Sequence, residues 1–304
     1  MSEPIAYVDG RLLPAREAVL PVHDGGFVLG VTVAEQIRTF SGELYRLQDH
    51  LARLDRSLET IGVGCPLGSV ELTEQATAVA THNHRLLAAG DDLGLCIFVT
   101  PGSYPTMAPQ AAGPRLCLHT YPLPFAQWAD KYSTGQSLSI TSVRQVPTNC
   151  WPAELKCRSR MHYFLADQEA HRRHAGSRAL LLDQHGLVSE ASTANVLIYR
   201  ADEGLLAPPH DKTLPGISMA TVRRLASELQ IPFTERDLQP TEVVEADEVL
   251  LSSTSLCLLP VTHLDGRAIA GGEPGPVFHQ LLAAWSGEVG VDIAHQARRF
   301  ANRP

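Results

Sequence analysis

Two domains of mixed α and β structure are what this sequence predicts, and three observations carry the prediction. The chain has 304 residues, more than one hydrophobic core ordinarily serves. Its first third alternates strand-like with helix-like stretches. A proline-containing interval at 121–131, Tyr-Pro-Leu-Pro-Phe-Ala-Gln-Trp-Ala-Asp-Lys, then breaks the periodicity and reads as a linker. The expected organisation is an N-terminal α/β domain at 1–121, a linker at 122–135, and a strand-rich C-terminal domain at 136–304.

Each element has its own reason. Val-Ala-Glu-Gln-Ile-Arg-Thr-Phe (33–40) has strand character, and Ser41-Gly42 ends it as a turn. Leu47, Leu51, Leu54, Leu58 and Ile61 step by four and three, the spacing of one apolar helix face. A second helix is expected over 70–89, stopped by Gly90. Strands follow at 95–100 and 115–120, with a Pro/Gly-rich loop between them. Beyond the linker come a strand at 137–143 and a helix after Lys156. A hairpin is expected to run out along 178–183, turn at 184–186 and return along 195–199. A helix starts near Gly216, and the stretch 248–269 is strand-rich.

Composition narrows the function classes. An apolar content of 44% with interspersed charge describes a water-soluble globular protein. The net charge of −8 and the lack of a basic run argue against a nucleic-acid surface. Six cysteines are scattered, with no Cys-x-x-Cys pair, which reads as reduced thiols. The N-terminus carries no basic-then-apolar leader, and no apolar run reaches the ~20 residues of a membrane span. The expectation is a cytoplasmic protein.

Four segments bear chemistry when taken in order. Glu-Leu-Lys-Cys (154–157) offers Lys156, an amine that can form an imine with an aldehyde. Ser-Glu-Ala-Ser-Thr-Ala-Asn (189–195) offers Glu190, a carboxylate for a protonated ring nitrogen. Leu-Pro-Gly-Ile-Ser (214–218) opens a periodic helix, and free N–H groups at such a start attract an anion. Leu-Ser-Ser-Thr-Ser (251–255) adds a hydroxyl cluster at a strand end. Amine, carboxylate, helix start and hydroxyls are together the set that holds pyridoxal 5'-phosphate.

That order resembles the class IV aminotransferases, the family of branched-chain and D-amino-acid aminotransferases and aminodeoxychorismate lyases. The likeness runs from Ala-Tyr-Val-Asp-Gly-Arg-Leu-Leu-Pro (6–14) through His-Asp-Gly-Gly-Phe-Val-Leu-Gly (23–30) and Arg-Leu-Gln-Asp-His-Leu-Ala-Arg-Leu (46–54) to 253–261. It implies a two-domain fold-type-IV enzyme, D-amino-acid aminotransferase-like, with the cofactor between the domains. It further implies Lys156 as the imine-forming lysine and proton-moving base, and Glu190 as the partner of the pyridine nitrogen. Leu214 is expected against the ring. Arg53, Gly216, Ile217, Ser218, Ser253 and Thr254 are expected at the phosphate. The implied activity moves an amino group from an amino acid or amine to a 2-oxo acid in a ping-pong sequence, within a homodimer. A lyase acting on aminodeoxychorismate, or a pyridoxal-phosphate-binding protein with little turnover, is the alternative.

The substrate positions depart from the family pattern. Branched-chain members carry a tyrosine where this chain has Leu29 and a phenylalanine where it has Ala34. D-amino-acid members put a tyrosine at the Ala34 position and an arginine at that of Pro101. The tyrosine that follows the lysine corresponds to Met161, and the lyases' threonine to Gln36. On strand 33–40, Ala34, Gln36, Arg38 and Phe40 share one face, opposite Val33, Glu35, Ile37 and Thr39. Ala34, Gln36, Arg38 and Ser255 are therefore the substrate candidates, and Arg144, Arg158 and Arg160 are alternative carboxylate ligands. No metal is expected: His171 and His174 sit on a polar helix, and no zinc-spaced set occurs. Gly62, Gly64 and Gly68, interrupted by Pro66, make no dinucleotide loop.

Overall fold

Local sequence determines the first elements. Strands β1 (Ile5–Val8) and β2 (Arg11–Pro14) form a hairpin whose turn residues Asp9 and Gly10 both have positive φ, 47° and 90°. That left-handed pair matches the twist of two antiparallel strands. A short helix α1 (Gly25–Val28) is capped by Asp24, which accepts from the Gly26 N–H at 2.7 Å. The expected strand is β3 (Val33–Phe40), turning at Ser41-Gly42 into β4 (Glu43–Leu44). The leucine stripe is α2 (Leu47–Ile61), ended by Gly62 in the left-handed conformation at φ 67°.

The computed structural model describes residues 3–108 and 110–303 and divides the chain into two units. The first runs to Leu123 and takes in the later segment Leu155–Ser159. It is completed by α3 (Ser69–His84), β5 (Leu93–Thr100) and β6 (Arg115–Pro122). Its antiparallel sheet has the order β2-β1-β6-β5-β3-β4. Ile37, Leu95, Ile97, Val99, Leu116 and Leu118 line one face and pack on Leu51, Leu54, Leu58, Leu72 and Val79 of the helices. Each such side chain contributes about 1.5–3 kcal/mol by leaving water. Helix α3 stops five residues before the expected 89, because Asn83 turns inward and bonds both the N–H and the C=O of Ile5 at 2.8 Å. A tertiary anchor overrides the helical pattern there.

The second unit holds Pro124–Glu154 and the chain from Arg160 onward. The proline-containing interval read as a linker is packed. Phe125, Trp128 and Tyr132 are buried, the last in α4 (Lys131–Thr134) with its hydroxyl donating to the Leu256 C=O at 2.7 Å. Then follow β7 (Gln136–Ile140), α5 (Met161–Arg173), β8 (Arg178–Leu182), β9 (Val188–Ala191), β10 (Asn195–Arg200) and β11 (Gly204–Ala207). Helix α6 (Ile217–Glu228), β12 (Phe233–Glu235), α7 (Pro240–Val244), β13 (Glu248–Ser253), β14 (Cys257–Leu264), β15 (Arg267–Ala268), α8 (Pro276–Val289) and α9 (Ile293–Arg299) complete it. The sheet runs β12-β11-β10-β13-β14-β7-β8-β9, with β15 on β14.

One hairpin differs from expectation. β8 returns as β9, not as 195–199, and β10 pairs instead with β11 and β13. The short strand Val188–Ala191 is buried on both faces, so it shows no alternation to mark it. The consequence is functional: Glu190 lies on a strand, not on an exposed turn. None of the six cysteines forms a disulfide. Among the described residues, no helix is long and apolar enough to cross a membrane, and no cluster of His, Cys, Asp and Glu could hold a metal.

Candidate functional site

In the first unit, Lys156 sits on an extended stretch clamped to β3. The Ala34 N–H donates to the Lys156 C=O at 3.1 Å, and the Arg158 N–H to the Thr32 C=O at 2.8 Å. The Lys156 N–H donates to the Ser57 hydroxyl at 3.2 Å, and the Ser159 hydroxyl to the Gly30 C=O at 2.7 Å. Leu155 packs on the core. The lysine is thus held by its backbone, and it belongs to the unit that precedes it in sequence. The antiparallel bridge of Val33 to Cys157 sets Lys156 opposite Ala34.

Arg53 is not a solvated helix arginine. It is 2% exposed, and its Nε and Nη2 donate to the two oxygens of Glu35 at 2.7 and 2.8 Å. His50, one turn earlier on α2, donates from Nδ1 to the same carboxylate at 2.7 Å. Burial pushes the Glu35 carboxyl up. The charge and hydrogen bonds of Arg53, the bond from His50 and the charge of Lys156 together bring it down to about 2. Burial lowers His50, outweighing its bond to Glu35, so the imidazole stays neutral with its proton on Nδ1. Among the described residues, its buried Nε2 has no hydrogen-bond partner. Glu35 was legible only as one residue of an alternating strand; what it meets on α2 gives it meaning.

Glu35→Gln is expected to destabilise the protein by about 3–5 kcal/mol, because it leaves Arg53 buried without its counter-charge. Urea unfolding of both proteins at neutral pH measures this. The folded pKa of Glu35 lies below its unfolded value. Its contribution is therefore complete above the ordinary carboxylate range and lost as pH falls towards 2. The difference between wild type and variant should shrink on that acid limb.

In the second unit, Glu190 is buried on β9. One oxygen accepts from the Leu214 N–H. The other accepts from the Tyr163 hydroxyl at 2.9 Å and from Gln145 Nε2 at 3.4 Å. Burial first, then the Glu190 charge, drive the Tyr163 hydroxyl well above the usual phenol range, so it stays protonated and donates. Leu214 therefore serves through its backbone as well as any contact of its side chain. Helix α6 starts at Gly216, Ile217 and Ser218, with no side chain capping its N–H groups. Asn195 donates to the Leu214 C=O at 2.9 Å, and its side-chain oxygen would lie 2.1 Å from a Cβ placed at Gly216. A side chain at 216 would have to displace the Asn195 amide.

Asn195 also joins the helix start to the hydroxyl cluster. It pairs across the sheet with Ser252, next to Ser253 at the end of β13. Thr254, Ser255 and Leu256 form the turn into β14, and Ser253 to Ser255 are half-buried. Asn195 thus touches Leu214 and Gly216 and pairs with Ser252, while Glu190 is bonded to Leu214. Asn195 and Tyr163 were missed as site residues. The signal for Asn195 was its place in the Ser-Glu-Ala-Ser-Thr-Ala-Asn segment, while Tyr163 had none. A buried carboxylate beside an uncapped helix start of twelve residues fits a cationic ring nitrogen and a phosphate.

Of the substrate candidates, Ala34 is buried and Gln36 half-buried. Arg38 is not a surface arginine. It is 1% exposed, stacks over Phe40 at 4.0 Å and donates to the Thr39 C=O at 3.3 Å. Met161, standing where the family's tyrosine is expected, opens α5 and is exposed.

Comparison with known proteins agrees with this geometry. Residues 32–264 match the family described as amino-transferase class IV. A D-alanine aminotransferase of Bacillus licheniformis is 28% identical over 278 residues, covering 91% of this chain and 94% of that protein. A putative branched-chain-amino-acid aminotransferase of Methanocaldococcus jannaschii is 27% identical, covering 90% and 93%. In fold, the chain is similar to the branched-chain amino acid aminotransferase of Escherichia coli. The TM-score is 0.86 at 24% identity, with 94% of each chain covered. The chain belongs to the class IV aminotransferases and is a pyridoxal-phosphate-dependent enzyme of that family.

Proposed function

We propose that the enzyme transfers an amino group between an amino acid or amine and a 2-oxo acid, with Lys156 as its covalent and proton-moving residue. The observation that supports this reading best is Glu190, a buried carboxylate held by three hydrogen-bond donors in the unit that also presents the uncapped start of α6. When bound, pyridoxal phosphate supplies an aldehyde for the amino group and a ring that takes up electron density.

The protein's own residues do the rest. Lys156 would hold the aldehyde carbon at rest and move the substrate's α-proton once its Nζ is released. Glu190 would keep a proton on the ring nitrogen. Gly216, Ile217 and Ser218 would direct N–H groups and a hydroxyl at the phosphate, with Ser253 and Thr254 adding hydroxyls. Arg53 would offer guanidinium N–H donors, its planar group fixed by Glu35. Tyr163 would hold Glu190 in one rotamer. We further propose a homodimer working in the cytoplasm, for which light scattering coupled to gel filtration and cell fractionation are the respective tests.

Donor-dependent loss of the visible cofactor band, reversed by a 2-oxo acid, tests the transfer reading. A lyase would instead release pyruvate from aminodeoxychorismate with no acceptor, and that result would replace the proposal. Tyr163→Phe is expected to weaken cofactor binding by about 2- to 10-fold, part of the value of the charge-assisted hydrogen bond that the phenol gives to Glu190. Titration of the apoenzyme with pyridoxal phosphate measures it.

A further inference from the structure

The sheet of the first unit has a second face, opposite its apolar core. Register places Ala34, Phe98 and Cys117 in one row across it, and Gln36, Cys96 and His119 in the next. Lys156, opposite Ala34, extends the first row. Basic side chains gather on this face at Cys96. The Arg158 guanidinium donates from Nη2 to the Cys96 sulfur at 2.8 Å. His119 stands directly across the strand pair and hydrogen-bonds the same sulfur, which raises its imidazole towards the cationic form. Among the described residues, no carboxylate pairs with Arg158 or His119. Burial raises the Cys96 thiol, but its bonds to His119 and Arg158 and their charges bring it down, and both basic side chains are reachable from solvent.

Ala34 makes this arrangement possible. Arg158 lies opposite Thr32 in the strand register, so reaching Cys96 takes its side chain across the Ala34–Phe98 row. A methyl group leaves that path open, and a ring at position 34 would stand in it.

We propose that Arg158 and His119 form a carboxylate-binding pole on the face that presents Lys156, in the space left by Ala34. The proposal rests on the aminotransferase reading, since it gives that reaction substrates bearing a carboxylate. The planar guanidinium binds both carboxylate oxygens, and the imidazole supplies a further N–H donor. Gln36, next to Cys96 in its row, adds an amide.

Two measurements on the holoenzyme test it. Calorimetry with the unreactive probes propionate and glutarate reads binding. Half-reactions with alanine and glutamate of either hand, set against the carboxylate-free 1-phenylethylamine, read specificity. Arg158→Gln should weaken the carboxylate probes by about 10- to 100-fold and lower the preference for amino acids over the amine by a similar factor. Ala34→Phe should do the same by blocking the path, and Arg158→Lys should recover part of the loss. A loss confined to glutarate and glutamate identifies a distal carboxylate; a loss that includes propionate and alanine identifies the one next to the amino group. Wild-type enzyme that binds no carboxylate probe would overturn the pole. So would an Arg158→Gln enzyme that binds them unchanged or loses equally on the amine. Borohydride fixation at Lys156 in the variant separates this failure from failure of the transfer reading.

Discussion

Lys156→Ala should leave a folded protein that no longer fixes its cofactor on borohydride reduction. The half-reaction should fall by at least about 10²–10⁴-fold, the range that a positioned proton-transfer group contributes. The fold should survive because the segment is tied down by groups that alanine retains. These are the bond from its N–H to Ser57, the bond from Ala34 to its C=O, and the neighbouring Arg158–Thr32 bond. Peptide mapping after reduction locates the attachment, and rapid mixing with a saturating donor gives the rate. A variant that still carries a reducible link at wild-type stoichiometry would move the covalent role to another lysine. The substitution also removes one of the charges that lower Glu35, so a small loss of stability above the ordinary carboxylate range should accompany it and fade as pH falls.

The second large effect is expected at Glu190. Glu190→Gln keeps the shape of the side chain and can still accept from Leu214 through its amide oxygen. Its NH₂ then faces Tyr163, whose hydroxyl can turn to accept. The network can therefore persist while the charge is lost. A charge-assisted contact is worth about 1.5–3 kcal/mol, which corresponds to roughly one to two orders of magnitude in rate if it is expressed in the transition state. The loss should fall on the half-reaction and spare covalent capture at Lys156. An unchanged single-turnover rate would take the ring-nitrogen role away from Glu190. Tyr163→Phe gives the internal comparison: it removes a neutral donor and leaves the charge, so its effect on the half-reaction should be clearly smaller.

Much of the fold was legible because it is written locally. The alternation at 33–40 and the leucine stripe at 47–61 delimit β3 and α2 to the residue, since strand and helix periods are properties of neighbouring side chains. Gly216 could be read as a helix boundary for the same reason. The order of Lys156, Glu190, the Leu-Pro-Gly-Ile-Ser turn and the hydroxyl cluster sufficed to place the chain in its family. Chemistry of that kind depends on residue types in sequence, and a scan of one chain can detect it.

What only the tertiary structure decided are the pairings between distant segments. Nothing near Val188–Ala191 shows that β8 pairs there, or that Glu190 becomes a buried strand residue. Asn83 ends α3 by bonding to Ile5, 78 positions away, against the helical pattern around it. Arg53 is expected at the phosphate by resemblance, and only the structure shows it bonded to Glu35, which His50 also holds. Tyr163 and Asn195 acquire roles only through Glu190, Leu214 and Ser252. Arg158 acquires its role because Ala34 leaves a path to Cys96. Sequence encodes periodicity and residue chemistry over a few neighbours. Which charge meets which, in an interior where an unpaired one costs several kcal/mol, is settled only when strands and helices far apart in the chain are brought into register.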